Sequence, residues 1–335
     1  MSMPSRAIAP KPDPLRVLAV EGLSTHFPTG RGVLRAVDGV SFDLARGEIL
    51  AIVGESGSGK SVAGLSIMRL LHRSGGRIVG GRVLLTRRDG TDVDLVRLAE
   101  APMRAVRRRE IAMVFQDPMS SLNPVLTIGE QIAETIVQHR RCNAREAWRE
   151  TLALLGRVGI PAAEARARDY PHELSGGMRQ RAMLAIALAC EPQILIADEA
   201  TTALDVTVQA QIVALIAGLC REQQLGVIFV THDLRLVTDI ADRIAVMYCG
   251  QVVEEGPARA VLGAPRHPYT RALLACLPVA GDALHPIPGA PPDPIAPPAG
   301  CRFHPRCADA EDACRRAPPP RRTVGPAHAA SCVRA

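Results

Sequence analysis

The stretch "IVGESGSGKS", Ile52–Ser61, places three glycines, three serines and one lysine directly behind an apolar run. Its spacing, G-x-x-x-x-G-K-S, is that of a phosphate-binding loop. Glycines let several backbone N–H groups approach one polyphosphate, while Lys60 reaches its outer phosphates and Ser61 ligates Mg²⁺. An ordinary Gly/Ser-rich turn with an incidental lysine is the alternative interpretation.

The flanking sequence supplies the strand and the helix that such a loop requires. "RAVDGVSFDLARGEILAIVG" alternates apolar and polar residues with glycine breaks, which is typical of β-strands. "KSVAGLSIMRLLH" has apolar residues at helical spacing. The helix therefore begins at the loop, and its positive dipole end faces the same anion.

Composition limits the class of protein. The 335 residues are 47% hydrophobic, enough for a large core, and no apolar run approaches the roughly 18 residues of a membrane-spanning helix. The net charge of +6 is a weak indication of anionic partners. Residues 1–17 are expected to be a flexible tail without an export signal, so the nine cysteines lie in a reducing compartment and form no disulfide framework.

The remaining pattern is α/β. Residues 117–190 are rich in amphipathic helices, whereas "ILIADEA" and "VIFVTHDL" are typical of short buried strands. We therefore expect a helical insertion inside an α/β core. After residue 260 proline becomes dense and four cysteines fall near the end.

Acidic and polar residues follow those strands. Asp198 is expected to ligate Mg²⁺, directly or through water, and Glu199 to act as general base for the attacking water. An acidic pair that caps the next helix is the alternative. His232 is well placed to sense the γ-phosphate, although a strand-terminal histidine can be merely structural. Gln116 by itself has the character of an ordinary loop amide.

"LSGGMRQR", Leu174–Arg181, precedes another helical run. Ser175, Gly176 and Gly177 at a helix start predict a second anion site, and a plain N-cap is the alternative. One chain has only one phosphate loop to share with that site. The simplest explanation is a head-to-tail dimer of two chains. In such a dimer the Ser175–Gly177 stretch of each chain closes over nucleotide held by the phosphate loop of the other.

Taken together, residues 18–260 resemble the ATP-binding-cassette (ABC) ATPases. Motifs occur in the family's order: Walker A (Gly54–Ser61), Q-loop Gln116, signature "LSGGM", Walker B ending in Asp198 and Glu199, D-loop residues 203–205 (Ala203 to Asp205), and switch His232. The resemblance implies a P-loop NTPase fold with a RecA-like core, an antiparallel β subdomain and a helical subdomain at about 117–190. It implies ATP and Mg²⁺ as cofactors, Lys60, Glu199 and His232 as catalytic residues, and Ser61, Gln116 and Asp198 as the Mg²⁺ site. The nucleotide contacts that it implies are Phe27 (stacked on adenine), Gly54, Glu55, Ser56, Gly57, Ser58, Gly59, Lys60, Ser61, Gln116, Ser175, Gly176, Gly177 and Asp205.

A narrower resemblance is carried by "GESGSGKS", "VFQDPMSSLNPVLTIGEQI" and "HPYTRALLACLP". These look like the dipeptide/oligopeptide/nickel importer branch. That branch implies a second, usually non-identical cassette, two transmembrane permease subunits and a substrate-binding protein, with no nucleic acid partner. It places the chain peripherally on the cytoplasmic face of the inner membrane, where ATP-dependent dimer closure drives uptake. Residues 261–335 then form a C-terminal extension.

The extension contains Cys301, Cys307, Cys314 and Cys332 among few apolar residues, so something other than a core of its own must hold it. Separated thiolates suit an iron–sulfur cluster at least as well as zinc, with His304 and His328 as substitute ligands. Free thiols on a disordered tail are the alternative. The importer branch includes members with a four-cysteine [4Fe–4S] site, and that resemblance favours iron over Zn²⁺.

Two other functions remain open at this stage. A cassette ATPase of translation or DNA maintenance usually needs tandem cassettes or long coiled coils, and neither is present. A redox or iron-sensing module with secondary ATPase activity would depend on the cysteines. The motif order favours the energy-coupling ATPase of a peptide importer.

Overall fold

The fold is built from two β-sheets and the helices around them. A computed structural model describes residues 15–71, 74–117, 121–140, 142–201, 204–277 and 286–335. The strands are β1 (Arg16–Thr29), β2 (Gly32–Ala45), β3 (Ile49–Val53), β4 (Arg77–Thr86), β5 (Asp92–Asp94), β6 (Ile111–Val114), β7 (Ile194–Asp198), β8 (Gly226–Thr231), β9 (Arg243–Tyr248), β10 (Gln251–Pro257), β11 (Arg322–Gly325) and β12 (His328–Ala330). The α-helices are α1 (Lys60–Ile67), α2 (Glu100–Arg109), α3 (Ile128–Arg140), α4 (Ala144–Arg157), α5 (Ala163–Arg166), α6 (Gly176–Leu188), α7 (Val206–Gln223), α8 (Ala258–Gly263), α9 (Pro268–Ala275) and α10 (Asp312–Arg316).

The larger sheet has a parallel centre. Its strand order in the described residues is β11-β12-β10-β9-β3-β8-β7-β6. Strands β9, β3, β8, β7 and β6 pair in parallel, and β10, β12 and β11 continue the sheet antiparallel at one edge. Strand β3 is the run "ILAIV", buried at every position. Parallel strands covered on both faces need such a continuous apolar sequence.

The two faces of β3 enter two different hydrophobic cores. Ile49, Ala51 and Val53 join the core that includes α3, α4, α6 and α7. Leu50 and Ile52 join the core formed with α1, α2 and the antiparallel sheet, whose order is β2-β1-β4-β5. The central sheet is therefore a shared wall between a helical layer and an antiparallel layer.

The register of the parallel strands fixes where the functional loops meet. Val53 pairs with Thr231, Asp198 with Val230, and Val114 with Ala197. Because parallel strands end at the same edge, the loops that follow β3, β6, β7 and β8 open on one side of the sheet. Walker A, Gln116, Glu199 and His232 all belong to those loops.

Helices α3 to α6 lie within the range expected for a helical subdomain, although the division into subdomains stays a prediction. Asn143 begins α4 with a capping box, since its side chain accepts from the Glu146 N–H and the Glu146 carboxylate accepts from the Asn143 N–H. Within the described ranges no helix combines the length and apolarity needed to span a bilayer.

The C-terminal extension packs onto the cassette instead of forming a separate tail. Strand β12 pairs with β10. Phe303 is 2% exposed and joins the same core as β3, with its ring edge-on to Tyr248 at 5.3 Å between centroids. The extension was expected to be held by something other than a core of its own, and the core of the cassette supplies part of that support. Cys301, Cys307, Cys314 and Cys332 consequently lie in folded structure rather than on a disordered tail.

We expect Phe303→Ala to lower the free energy of unfolding of the full chain by about 3–5 kcal/mol, because it removes a large buried ring and leaves a cavity. Urea denaturation measures the change. Val206→Ala, at a side chain that is 79% exposed, is the control and should change stability little. Equal stability of Phe303→Ala and wild type would contradict packing of the extension into the cassette core.

Candidate functional site

The loop between β3 and α1 has a backbone that only glycine permits at two positions. Gly54 and Gly59 have φ values of 152° and 102°. A Cβ at Gly54 would collide with the carbonyl oxygen of Met247, and one at Gly59 with that of Ala36. These glycines let the loop curve tightly against neighbouring backbone, the kind of conformation in which main-chain N–H groups can gather around an anion.

Lys60 lies folded inside this loop. It is 4% exposed, and its Nζ donates to the carbonyl oxygens of Gly54 at 2.8 Å and Glu55 at 3.0 Å. Burial lowers the pKa of Lys60, and the nearby carboxylates of Glu199, Asp198 and Glu55 oppose that shift. A polyphosphate in the loop would add negative charge and favour the ammonium form.

A second sign of an anion site is an unsatisfied hydroxyl. Ser58 Oγ is buried and has no hydrogen-bond partner among the described residues. Buried polar groups are normally paired, so an unpaired donor in a glycine loop fits a ligand oxygen. The loop therefore has the curvature, the cation and the free donor of a phosphate site.

Ser61 and Asp198 form the hard-oxygen pair expected for magnesium. Ser61 Oγ donates to Asp198 Oδ1 at 2.8 Å. Asp198 is 7% exposed, and burial raises its pKa. A cation bound between these two oxygens would stabilise the carboxylate form of Asp198. Mg²⁺ prefers hard oxygen ligands of this kind. Gln116, the third residue expected at this site, contacts Glu199 in this structure.

Glu199 connects three of the strand-end loops. Its Oε2 accepts from Gln116 Nε2 at 3.1 Å, and its Oε1 lies 3.2 Å from His232 Nδ1. Its backbone has a left-handed φ of 45°, and its N–H donates to the Val230 carbonyl at 3.0 Å. Backbone strain of this kind in a non-glycine residue is typical of functional sites, where the surrounding structure keeps the side chain in a required position. The carboxylate is thus placed beside the phosphate loop with a partner on each side.

Comparisons with known proteins match both parts of the chain. Residues 37–202 match the ABC transporter family, and residues 253–314 match the C-terminal region of oligopeptide/dipeptide transporters. A putative peptide import ATP-binding protein of Brucella abortus is 51% identical over 327 residues, covering 95% of this chain and 97% of that protein. The dipeptide transport ATP-binding protein DppD of Bacillus subtilis is 46% identical over 320 residues, covering 95% and 94%.

The chain belongs to the ABC transporter family. Its fold agrees with solved cassettes of that family. The dimeric ATP-binding cassette MJ0796, in a post-hydrolysis state with ADP and Pi, superposes with a TM-score of 0.63 at 29% identity, covering 72% of this chain and 99% of that one. The chain is accordingly an ABC-type ATPase, the energy-coupling subunit of a transporter.

The signature of this ABC ATPase lies beside the start of α7. Ser175 begins α6, and its Oγ accepts from the Met178 N–H at 3.3 Å. A Cβ at Gly177 would lie 2.6 Å from Val208, in the first turn of α7. Asp205 begins α7 and accepts from the Val208 N–H at 3.0 Å. Ala203 lies outside the described residues.

The structure thus brings together some of the expected residues and leaves others apart. Walker A, Gln116, Asp198, Glu199 and His232 converge at one sheet edge. In the described residues, the contacts given above for Ser175, Gly177 and Asp205 lie within α6 and the start of α7. The hydrogen bonds of Ser175 and Asp205 are also the N-caps of the alternative interpretation, so their ligand role stays a prediction.

Phe27 occupies a different position from the cavity beside Walker A. Its ring lies against Gly76, where an added Cβ would be 2.6 Å from Cε1. That cavity, ≈ 360 Å³ in volume, is lined instead by Arg31, Glu55, Tyr248, Pro291 and neighbouring loop residues. Stacking of Phe27 on adenine remains a prediction.

Two residues of the extension contact Walker A and were missed by sequence reasoning. Tyr269 and Arg306 both hydrogen bond to Glu55. Tyr269 stands in the quoted "HPYTRALLACLP", but neither residue carries a spacing signal that points to a loop more than 200 positions away. Only the fold of the extension over the cassette makes the contact.

We expect Glu199→Gln to lower kcat for ATP hydrolysis by roughly 10²–10⁴-fold while ATP binding persists, because the amide cannot accept a proton from water. Single-turnover hydrolysis and equilibrium ATP binding measure the two effects. Glu222→Gln, at an exposed position on α7, is the control. Unchanged turnover in Glu199→Gln would remove Glu199 from the role of base.

Proposed function

We propose that this ATPase powers peptide import and that each ATP is held between its Walker A loop and the signature of a second cassette. The observation that carries the proposal is the convergence of Lys60, Asp198 and Glu199 at one sheet edge. The peptide assignment is supported by the oligopeptide/dipeptide C-terminal region and by the named relatives.

In this proposal the residues have separate roles. Gly54–Ser61 and Lys60 bind the β- and γ-phosphates, and Ser61, Gln116 and Asp198 hold Mg²⁺ directly or through water. Glu199 takes the proton of the attacking water, while His232 hydrogen bonds the γ-phosphate. Phe27 stacks on adenine. Two chemically distinct events, phosphate binding after β3 and water activation after β7, would therefore occur at the same edge of the sheet, on either side of β8.

The second half of each site comes from the partner cassette. In a head-to-tail dimer, the Ser175–Gly177 end of α6 and Asp205 would face the nucleotide of that partner; the MJ0796 cassette is itself dimeric with ADP and Pi bound. A non-identical paralogue is the proposed partner, with two permease subunits and a substrate-binding protein completing the transporter at the cytoplasmic face of the inner membrane. Peptide selection belongs to those other subunits.

Mixing two defective forms of the chain tests the shared site. We expect Lys60→Ala and Ser175→Arg each to abolish hydrolysis as pure dimers, and an equimolar mixture to regain part of it. In a mixed dimer one site carries both defects and the other carries none.

If hydrolysis does not recover in the mixture, the proposal that each site is shared between two chains is contradicted. A site formed within a single chain would stay defective in both variants. If hydrolysis requires the paralogue, Ser175→Arg is introduced into this chain and the Walker A lysine of the paralogue is changed to alanine. Both defects then fall in one site and the other site is intact, so we expect hydrolysis to persist.

The four cysteines of the extension are proposed to hold a metal centre. Cys301, Cys307, Cys314 and Cys332 line one cavity, together with His267. The His267 Nε2 is buried and lacks a hydrogen-bond partner among the described residues, since its Nδ1 accepts from the Tyr269 N–H. A buried, unpaired polar atom beside four thiols fits a bound group.

Among the described residues, no group of three or more His, Cys, Asp or Glu is arranged as it stands to hold a metal ion. Thiols this far apart in sequence suit a [4Fe–4S] cluster at least as well as a tetrahedral Zn²⁺ with Zn–S bonds of about 2.3 Å, and the resemblance to the importer branch favours iron. The cavity lined by the thiols has a volume of ≈ 10 Å³, so it would have to widen to hold a cluster. Burial raises the pKa of Cys301 to about 11, and metal binding would remove that proton. A bound cluster would supply Fe–S bonds that tie the extension together.

We expect Cys301→Ser to lose iron and sulfide while nucleotide binding persists, because the cavity is separate from Walker A. Iron and sulfide analysis of anaerobically purified protein measures the loss. Cys142→Ser, at a half-buried cysteine outside the cavity, is the control. Stoichiometric zinc in the wild type, or full iron in Cys301→Ser, would contradict the cluster.

A further inference from the structure

Glu55 is an acidic residue inside a loop proposed to bind phosphates. It follows Gly54, and its own carbonyl oxygen accepts from Lys60 Nζ at 3.0 Å and from the Ser58 N–H at 3.2 Å. A carboxylate at this place would repel ATP unless a cation neutralises it. The position of Glu55 also affects where Lys60 points.

Arg306 of the extension supplies that cation. Its Nη1 and Nη2 donate to Oε2 and Oε1 of Glu55 at 2.7 and 3.0 Å, a bidentate pair between residues 251 positions apart. The Arg306 side chain is 3% exposed, whereas that of Glu55 is 27% exposed. Two fixed, parallel hydrogen bonds to a buried guanidinium are stronger and more directional than a surface ion pair.

The guanidinium of Arg306 is itself held on its other sides. Its Nε donates to the Pro288 carbonyl at 2.9 Å, and Nη1 lies 3.3 Å from the Tyr248 hydroxyl. The rings of Tyr248 and Phe303 lie 5.8 and 6.0 Å from its Cζ. Because Tyr248 and Phe303 are buried in the main core, they hold the guanidinium in place, so Arg306 fixes Glu55 instead of following it.

Tyr269 holds the backbone of the same residue. Its fully buried hydroxyl accepts from the Glu55 N–H at 2.9 Å. Its ring packs at 4.5 Å from Tyr248 and 5.3 Å from Phe303, and His267 caps the helix in which it lies. Glu55 is therefore held at its main chain and at its side chain by two different parts of the extension.

We propose that Tyr269 and Arg306 are positioning residues of the nucleotide site, which hold the Walker A loop in its binding shape and neutralise Glu55. The C-terminal extension thus completes the site from within the same chain. A loop already fixed loses less conformational entropy when ATP binds, and a neutralised carboxylate repels the phosphates less. The inference rests on the proposed phosphate contacts of Gly54–Ser61 and is independent of what the cysteine cavity holds.

Three variants of the full chain test the charge argument through the Kd of Mg·ATP, measured by titration calorimetry. We expect Arg306→Gln to weaken binding by about 10-fold, since an unpaired carboxylate then faces the phosphates from several ångströms. Glu55→Gln should weaken it less, because it loses the tether to Arg306 but also removes the repelling carboxylate, and Glu55→Gln combined with Arg306→Gln should bind better than Arg306→Gln alone. A merely structural ion pair would not give this order.

Arg302→Gln is the matched control, because Arg302 forms another buried ion pair of the extension, with Asp38. We expect Arg302→Gln to lower the Tm, as Arg306→Gln does, while its Kd for Mg·ATP stays close to that of wild type. Wild-type affinity in folded Arg306→Gln, or a double variant no better than Arg306→Gln, would overturn the charge argument.

Tyr269→Phe tests the backbone contact with little loss of packing. We expect faster hydrogen–deuterium exchange in the 54–61 loop and a higher KM for ATP at nearly unchanged kcat. Thr270→Val is the matched control, since it removes a neighbouring buried hydroxyl that has no hydrogen-bond partner in the described residues. Equal exchange in Tyr269→Phe and Thr270→Val would overturn the positioning role of Tyr269.

Lys60→Ala separates this inference from the proposed function. Loss of ATP affinity in Lys60→Ala, with wild-type affinity in both Arg306→Gln and Tyr269→Phe, would reject only the positioning role. Unchanged affinity in Lys60→Ala would reject the proposed phosphate contacts themselves.

Discussion

The parallel register of β3, β6, β7 and β8 is the constraint on which the rest of the structure depends. It brings the ends of strands distant in sequence to one edge, so that Lys60, Asp198 and Glu199 share a small volume. A buried ammonium beside carboxylates is stable only with fixed geometry, because desolvation of each charge is costly. The two apolar cores on either side of the sheet supply that rigidity.

Glu199 shows how the same edge can couple binding to motion. Its carboxylate contacts Gln116 after β6 and His232 after β8, so in the proposed site a change in bound nucleotide would reach both loops through one side chain. In an ABC ATPase the subunit must convert phosphate chemistry into displacement of its partners. Contacts that connect several loops at a single residue suit this requirement better than isolated loop contacts.

The C-terminal extension is structurally continuous with the cassette. Its strand β12 extends the central sheet, Phe303 enters the main core, and Arg306 reaches Walker A. Extension and nucleotide loop thus share one packed interior, in which displacement of one group requires its neighbours to move. The cysteine cavity adjoins the same interior through Phe303 and His267.

The sequence by itself determined the glycine-rich loop with its flanking strand and helix, and it predicted Asp198 and Glu199 at a strand end, because these depend on local spacing or hydrophobic periodicity. His232 was predicted from its place in the order of motifs, and the roles of all three residues stay predictions. The sequence also determined the family, since the motifs occur in a specific order. Only the tertiary structure decided that Tyr269 and Arg306 hold Glu55, that Phe27 lies against Gly76, and that the four cysteines line one cavity. Those contacts join residues far apart in the chain, and they arise from how the extension packs, which no local pattern specifies.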